Sequence, residues 1–132
     1  MKQVFQMFTS FAVTFFTYIF GKMDMALITL LVVIGVDLIS GLAKAYITGN
    51  LSASKGMKGL VKKISYLSIV AVAVIVDQLC KSGDVIRTFV IYYFVINECL
   101  SILENAVAMK LPIPKILVDK LEQLKVDADS KT

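Results

Sequence analysis

The chain has 132 residues, of which 58% are hydrophobic and 18% charged, and its formal net charge is +4. Soluble domains contain about 45–50% apolar residues, so a chain this small and this apolar is expected to use the lipid bilayer as its solvent. It has two cysteines and no histidine, which argues against a structural zinc site and against Ser–His or Cys–His catalysis. We expect no enzyme, no metal and no cofactor.

The first apolar segment, residues 3–21, carries a stripe of uncharged polar side chains. About 19 residues are just enough to span a bilayer, whereas the amphipathic pattern is typical of helices that lie in its interface. Both alternatives stay open for an N-terminal hydrophobic helix over residues 1–22. No small-x-small site follows it, so we expect it to remain uncleaved. The stripe recurs at helical spacing and consists of Gln3, Gln6, Ser10, Thr14 and Thr17.

The second segment, residues 25–47, is the strongest candidate for a transmembrane helix. Its first half is free of charge, and polar residues then follow at positions that share one helical face. Gly41 and Ala45 form a small-x-x-x-small pair, which lets two helix backbones approach closely. A polar stripe on an otherwise apolar helix predicts either a helix contact or a pore lining. The stripe consists of Asp37, Ser40, Gly41 and Lys44.

A basic loop is predicted over residues 49–63. It contains four lysines and no acidic residue, and by the positive-inside rule it is expected to face the cytoplasm. The topology-setting lysines are Lys55, Lys58, Lys62 and Lys63.

A third apolar segment, residues 64–79, and a fourth, residues 85–109, are joined by a tight hairpin at 81–84. So short a connection predicts antiparallel neighbours. Asp77 lies four residues before Lys81, and Asp84 three before Arg87, so each is expected to form a local pair. Cys80 and Cys99 are expected at different membrane depths and therefore as free thiols.

The fourth segment carries two carboxylates, two amides and a hydroxyl within one arc of the helical wheel. An acidic group at mid-membrane costs about 2.5–3.5 kcal/mol on translocon scales, so a stripe of this kind is not expected to face lipid. It either forms interhelical hydrogen bonds or faces water in an assembled pore, and the two arrangements can alternate. Asp37 is expected to pair with a lysine or with this stripe. Its members are Asn97, Glu98, Ser101, Glu104 and Asn105.

Pro112 and Pro114 end the fourth segment, and residues 115–125 form a predicted amphipathic helix with Leu117, Leu121 and Leu124 on one face. A polar tail that frays is expected from Val126 onward. The predicted fold is an all-α membrane protein with three to four transmembrane helices and a short C-terminal amphipathic helix. It divides into residues 1–22, a transmembrane core over 23–110 and a cytoplasmic tail over 111–132.

Four stretches taken together, at 37–44, 49–63, 97–105 and 111–115, resemble the toxin-secretion/phage-lysis holin family. The resemblance covers about residues 30–125. It implies a small, multi-pass protein of the bacterial cytoplasmic membrane that assembles with itself into a lesion, through which an endolysin or a large toxin reaches the cell wall for host lysis or toxin secretion. Members usually have three spanning helices, so residues 3–21 are where this chain departs from the pattern.

The partners expected from this resemblance are the bilayer, further copies of the chain and a cell-wall hydrolase or toxin that passes through, with no nucleic acid. The alternative hypothesis is a small proton-coupled transporter or ion-channel subunit, based on Asp37, Glu98 and Glu104 at membrane depth. A weaker alternative is a membrane scaffold whose tail, residues 115–125, binds a soluble partner.

Overall fold

The computed structural model describes residues 1–131, which form five α-helices and no strand. The predicted all-α membrane fold is confirmed: within this range four helices are long and apolar enough to cross a bilayer, and the fifth is shorter. The helices are α1 Lys2–Phe20, α2 Met25–Thr48, α3 Ala53–Cys80, α4 Val85–Ala108 and α5 Lys115–Ser130.

The ends of the helices follow the local sequence. Asp24 caps α2 by accepting a hydrogen bond from the backbone N–H of Leu27 at 3.1 Å, and Gly49 ends that helix in the left-handed conformation with φ 75°, which glycine adopts without strain. Ser52 caps α3. The α3–α4 turn contains three left-handed residues, Lys81, Gly83 and Asp84, so the predicted tight hairpin is confirmed.

Two predicted boundaries are wrong. The basic segment is not a loop over 49–63, because α3 begins at Ala53 and the lysines lie in its first turns. The tail does not fray at Val126, because α5 continues to Ser130. The four lysines of the first stretch are compatible with helix, since lysine is a good helix former.

The core lies between α2, α3 and α4, with α4 at the centre in contact with α2, α3 and α5. Tyr66 of α3 stacks on Phe94 of α4 with ring centroids 4.4 Å apart. The buried apolar cluster comprises Ala26, Leu27, Leu30, Ile34, Val70, Ile91 and Phe94.

Helix α1 is attached to this core only near its C-terminal end. It packs against α3, and Phe16 and Phe20 contact the core cluster. Among the residues that the structure describes, α1 contains no buried one. Most of α1 therefore presents its full circumference to whatever surrounds the subunit.

Helix α5 packs against α4 through a face that includes the half-buried Leu121. The other two leucines of the predicted apolar face, Leu117 and Leu124, stay about half exposed at 49% and 50%. The structure thus leaves an apolar edge on α5 outside the contact with α4.

Candidate functional site

A buried polar cluster joins the middle of α2, α3 and α4. We call it the lysine cluster; its centre is Lys63 Nζ, which lies 2.7 Å from Asp37 Oδ2 and 2.7 Å from Glu98 Oε1. The Asn105 amide donates to Asp37 Oδ1 at 3.2 Å and to Ser40 Oγ at 2.9 Å. One cation thus bridges two carboxylates from different helices, and one amide fixes the second oxygen of Asp37.

The lysine cluster is deeply buried. Glu98 is 1% exposed, Asp37 7% and Lys63 8%. Asp37 is the thirteenth of 24 residues in α2, and Glu98 the fourteenth of 24 in α4, so the cluster sits near the midpoint of both helices. Charges at such a depth are stable only when they pair with one another or reach water. The cluster is therefore a paired polar contact between the three helices.

The charges of the cluster do not match one for one. Two carboxyl groups face a single lysine, and Glu98 Oε2 has no hydrogen-bond partner among residues 1–131. The Tyr66 ring lies below the lysine, with its centroid 5.3 Å from Nζ, and supplies its π-face rather than a donor. An orphaned carboxyl oxygen next to a cation marks the point at which this packing is least satisfied.

The predicted polar stripes are partly assembled here. The structure brings together Asp37, Ser40, Glu98 and Asn105, and Gly41 lies beside them, since a Cβ added there would be 3.8 Å from Asn105 Nδ2. The helix-contact alternative therefore describes these residues in this structure. Asn97 and Ser101 are half-buried outside the cluster, and Lys44 and Glu104 are exposed.

The prediction that Lys63 is an exposed lysine of the basic loop is wrong. The sequence groups it with the exposed basic residues Lys55, Lys58 and Lys62, but the structure buries it and pairs it within the lysine cluster. A helical register explains the difference, because Lys63 shares the buried face of α3 with Val70, Val74 and Asp77 at spacings of seven, eleven and fourteen residues. That register was the signal in the sequence that could have identified it.

A second polar cluster lies at the end of the bundle that carries the α3–α4 turn. We call it the arginine cluster; its centre is Arg87, which is fully buried. Its guanidinium donates to Asp24 Oδ2 at 2.8 Å, to the Phe20 carbonyl at 2.7 Å and to the Lys22 carbonyl at 2.8 Å. Arg87 thereby ties the connection between α1 and α2 to the first turn of α4.

Asp77 completes the arginine cluster from α3. Its carboxylate accepts from the Ser82 hydroxyl and from the backbone N–H groups of Ile86 and Arg87. The predicted pair of Asp77 with Lys81 is wrong, because Asp77 is buried under the turn while Lys81 is exposed.

The second local pair predicted from the sequence is also wrong. Asp84 does not pair with Arg87; it lies 4.0 Å from Lys22, while Arg87 pairs with Asp24 of the α1–α2 connection. Pairing between residues 63 positions apart leaves no periodic signal in one sequence. The buried register of α4 was the available sign, since Arg87 shares a face with Ile91, Phe94 and Glu98.

The arginine cluster predicts a pH dependence of stability. The hydrogen bonds from Arg87 hold the pKa of Asp24 below its usual range. A lowered folded-state pKa means that this pairing stabilises the fold above the unfolded-state pKa, about 3.9, and that the stabilisation is lost as pH falls through the folded-state value. The midpoint temperature of thermal unfolding in detergent is therefore expected to fall below about pH 4. Asp24→Asn should flatten that part of the profile, and an unchanged acid limb would contradict the assignment.

Comparison of the sequence with known proteins assigns the chain to a family. A sequence model of the bacteriophage holin family matches residues 14–126. An uncharacterised protein of Clostridium perfringens is 41% identical over 112 residues, which cover 84% of this chain and 83% of that protein. A protein of Bacillus phage phi105 named a probable holin is 30% identical over 115 residues, covering 87% and 84% of the two chains.

No solved structure matches the chain significantly. The matched residues include all members of the lysine cluster, both partners of the Asp24–Arg87 pair and helices α2 to α4, whereas most of α1 precedes the match. The chain belongs to the bacteriophage holin family.

Proposed function

We propose that this chain is a holin: it accumulates in the bacterial cytoplasmic membrane, assembles with further copies of itself into a pore, and lets an endolysin or a large toxin reach the cell wall. The family membership supports this function. The observation that carries the mechanism is the lysine cluster, in which Lys63 joins two carboxylates near the midpoints of α2 and α4.

The lysine cluster supports a two-state mechanism. Its three charged groups pair with one another inside one subunit, although Glu98 Oε2 stays without a partner in residues 1–131, so the packed subunit can remain in lipid without exposing them. If α2, α3 and α4 separate, Asp37, Lys63 and Glu98 each need a new polar environment, because an unpaired charge in hydrocarbon is costly. Water in the lumen of an assembled ring supplies that environment. The polar stripe that packs helices in the silent subunit is thus the proposed lining of the pore.

The proposed orientation places the lysine-rich ends of the helices in the cytoplasm. Lys44 near the end of α2 and Lys55, Lys58 and Lys62 in the first turns of α3 are all exposed. The end of the bundle that carries the α3–α4 turn then faces outward, and α5 with the rest of the tail lies in the cytoplasm.

Release of proteins of graded size tests the proposed function. Cells that express the chain with a cell-wall hydrolase and cytoplasmic reporters of increasing mass are expected to grow normally, then stop abruptly and release large reporters. Release of ions with retention of every protein reporter would contradict a holin that passes folded enzymes.

A prediction on timing follows from the charges in the lysine cluster. Glu98→Gln and Asp37→Asn keep side-chain shape and remove one carboxylate each, so both are expected to insert normally and to shift the onset of lysis.

Moving one charge across the full membrane field is worth about 2.3 kcal/mol per 100 mV, so an uncoupler added early is expected to cause immediate lysis in the wild type. Onset is read from culture density, with the hydrolase present.

Glu104→Gln is the matched control for this prediction. It removes the same charge from the same helix, but Glu104 is exposed and lies outside the lysine cluster. If Glu98→Gln and Asp37→Asn insert normally and lyse on the wild-type schedule with the same response to the uncoupler, the cluster carboxylates are not part of the switch.

A second candidate function is an ion-channel or proton-coupled transport subunit. The observation that favours it is Glu98 Oε2, a buried carboxyl oxygen without a partner in residues 1–131, which lies beside a lysine near the midpoint of α4. In that case a small fixed oligomer would conduct ions, and every reporter protein would stay in the cell.

A further inference from the structure

The polar stripe of α1 remains unpartnered in the folded subunit. Within the described residues, the side chains of Gln3 and Gln6 form no hydrogen bond with another helix, and the one side-chain hydroxyl bonded within α1, that of Thr9, returns to the backbone of its own helix. The bilayer core cannot satisfy such groups, so a stripe of amides and hydroxyls along a spanning helix requires a polar partner outside the subunit.

The other faces of α1 contact the core of the subunit or carry exposed aromatic side chains. Phe16 and Phe20 pack on the core, and the phenylalanines nearer the N-terminus project on the side opposite the stripe, where Phe11 and Phe15 stack at 6.1 Å. Four phenylalanine rings in the N-terminal part of α1 are more than half exposed: Phe5, Phe8, Phe11 and Phe15. Their position gives α1 a lipid face, and it leaves the stripe free on the other side as far as Thr14, whereas Thr17 lines a crevice with Val74 and Asp77 of α3.

The chemistry of the stripe favours a helix partner over a water surface. A helix that lies in the interface typically carries lysine or arginine on its wet face, whereas after Lys2 the helix α1 contains no charged residue. Uncharged amides and hydroxyls are the groups that join transmembrane helices by hydrogen bonds. The amide of glutamine both donates and accepts, so the stripe is complementary to itself.

We propose that α1 is a self-association helix, and that the part of the stripe formed by Gln3, Gln6, Ser10 and Thr14 packs against the same residues of a second copy of this chain. Copies inserted in one orientation carry their α1 helices in parallel, so each residue meets its own counterpart at the same depth, as in a two-fold interface. Most of α1 precedes the region that matches the family, which makes this contact an addition to the shared bundle.

This inference rests on the proposed function and deepens it, since it names one contact through which the oligomer forms. Because α1 is held to the core by its last turn and by Arg87, the remaining turns can pair without disturbing α2 to α4. Pairing through α1 therefore leaves the lysine cluster intact and belongs to the assembly that precedes opening.

Disulfide cross-linking in membranes tests the contact. The parent is the full chain with Cys80→Ser and Cys99→Ser, which removes both free thiols. Ser10→Cys lies near the centre of the stripe, and Ala12→Cys is the matched control, since it is about 160° away around the helix at almost the same depth. Mild oxidation is expected to give several-fold more covalent dimer from Ser10→Cys, and Gln6→Leu in the same chain is expected to reduce that yield.

Two results would overturn the proposal. One is an equal or higher dimer yield from Ala12→Cys. The other is labelling of Ser10→Cys, but not of Ala12→Cys, by a membrane-impermeant maleimide, because the stripe would then face water on a helix that lies in the interface.

Reporter release from the cysteine-free parent separates this proposal from the proposed function. If the parent releases large proteins and Ser10→Cys does not cross-link, the α1 contact is wrong and the holin function stands. If Ser10→Cys cross-links and the parent releases only ions, the contact stands and the holin function fails.

Discussion

Lys63→Met is expected to destabilise the protein more than any other single substitution in the bundle. The side chain keeps its length but loses the charge that bridges Asp37 and Glu98 at 2.7 Å each. Two buried carboxylates then face each other without a cation, and breaking a buried ion pair from one side costs about 3–5 kcal/mol. Thermal unfolding of the purified protein in detergent measures the loss.

Lys62→Met is the matched control for this prediction. It removes the same charge one residue earlier from an exposed position of α3, so its effect on unfolding is expected to stay within about 0.5 kcal/mol. A similar loss from both variants would mean that helix propensity or net charge, rather than the cluster, determines the result.

Removing all three charges distinguishes pairing from packing. In the triple variant with Lys63→Met, Asp37→Asn and Glu98→Gln no charge remains in the lysine cluster, and replacing a complete buried ion pair by neutral groups is often close to neutral. The triple variant is therefore expected to recover most of the stability that Lys63→Met loses. A triple variant as unstable as Lys63→Met would show that the lysine acts through its contacts with Tyr66 and not through its charge.

The helices that cross the bilayer could be predicted because the physics that selects them is local. A charge-free run such as residues 25–36, with Asp24 at its start and Gly49 at its end, specifies α2 within one or two residues. The predicted loop over 49–63 places the start of α3 too late, because lysine-rich residues have the composition of a loop. Charge density does not distinguish a loop from the exposed turns of a helix whose cap is Ser52.

The partners of the buried charges depend on tertiary structure, and the sequence constrains them only weakly. The two partners predicted for Asp37, a lysine or the α4 stripe, include the observed contacts, but the sequence pattern places Lys63 in a surface loop. Local spacing pairs Arg87 with its neighbour Asp84, whereas its partner Asp24 lies at the end of another helix. Local spacing identifies which residues share a face, and only the packing of the helices determines which faces meet.

Arg87→Met is expected to give the second large loss of stability and to act mainly on α1. It removes the donors that bind Asp24 and the carbonyls of Phe20 and Lys22, so the carboxylate and the two carbonyls lose their partners. The expected cost is about 3 kcal/mol or more. Hydrogen exchange should show increased opening of residues 17–24, while the middle of α2 stays protected.

Lys22→Met is the control for Arg87→Met. Lys22 belongs to the same connection, but its side chain is 70% exposed and lies 4.0 Å from Asp84, and an exposed pair contributes less than about 1 kcal/mol. If Lys22→Met opens residues 17–24 as much as Arg87→Met does, the connection is weak by itself and the arginine does not hold it.

Gly21 allows the same contact to be tested from the other side. Its φ is +79°, and an added Cβ would lie 2.7 Å from Arg87 Nε. Gly21→Ala therefore introduces backbone strain of about 1–3 kcal/mol, because φ +79° with ψ −167° is essentially confined to glycine, and a collision with a side chain that its hydrogen bonds hold in place. In the Arg87→Met background the flexible methionine can move aside, so only the strain remains. The two substitutions are expected to be less than additive in unfolding free energy, and strict additivity would mean that Arg87 does not constrain the α1–α2 connection.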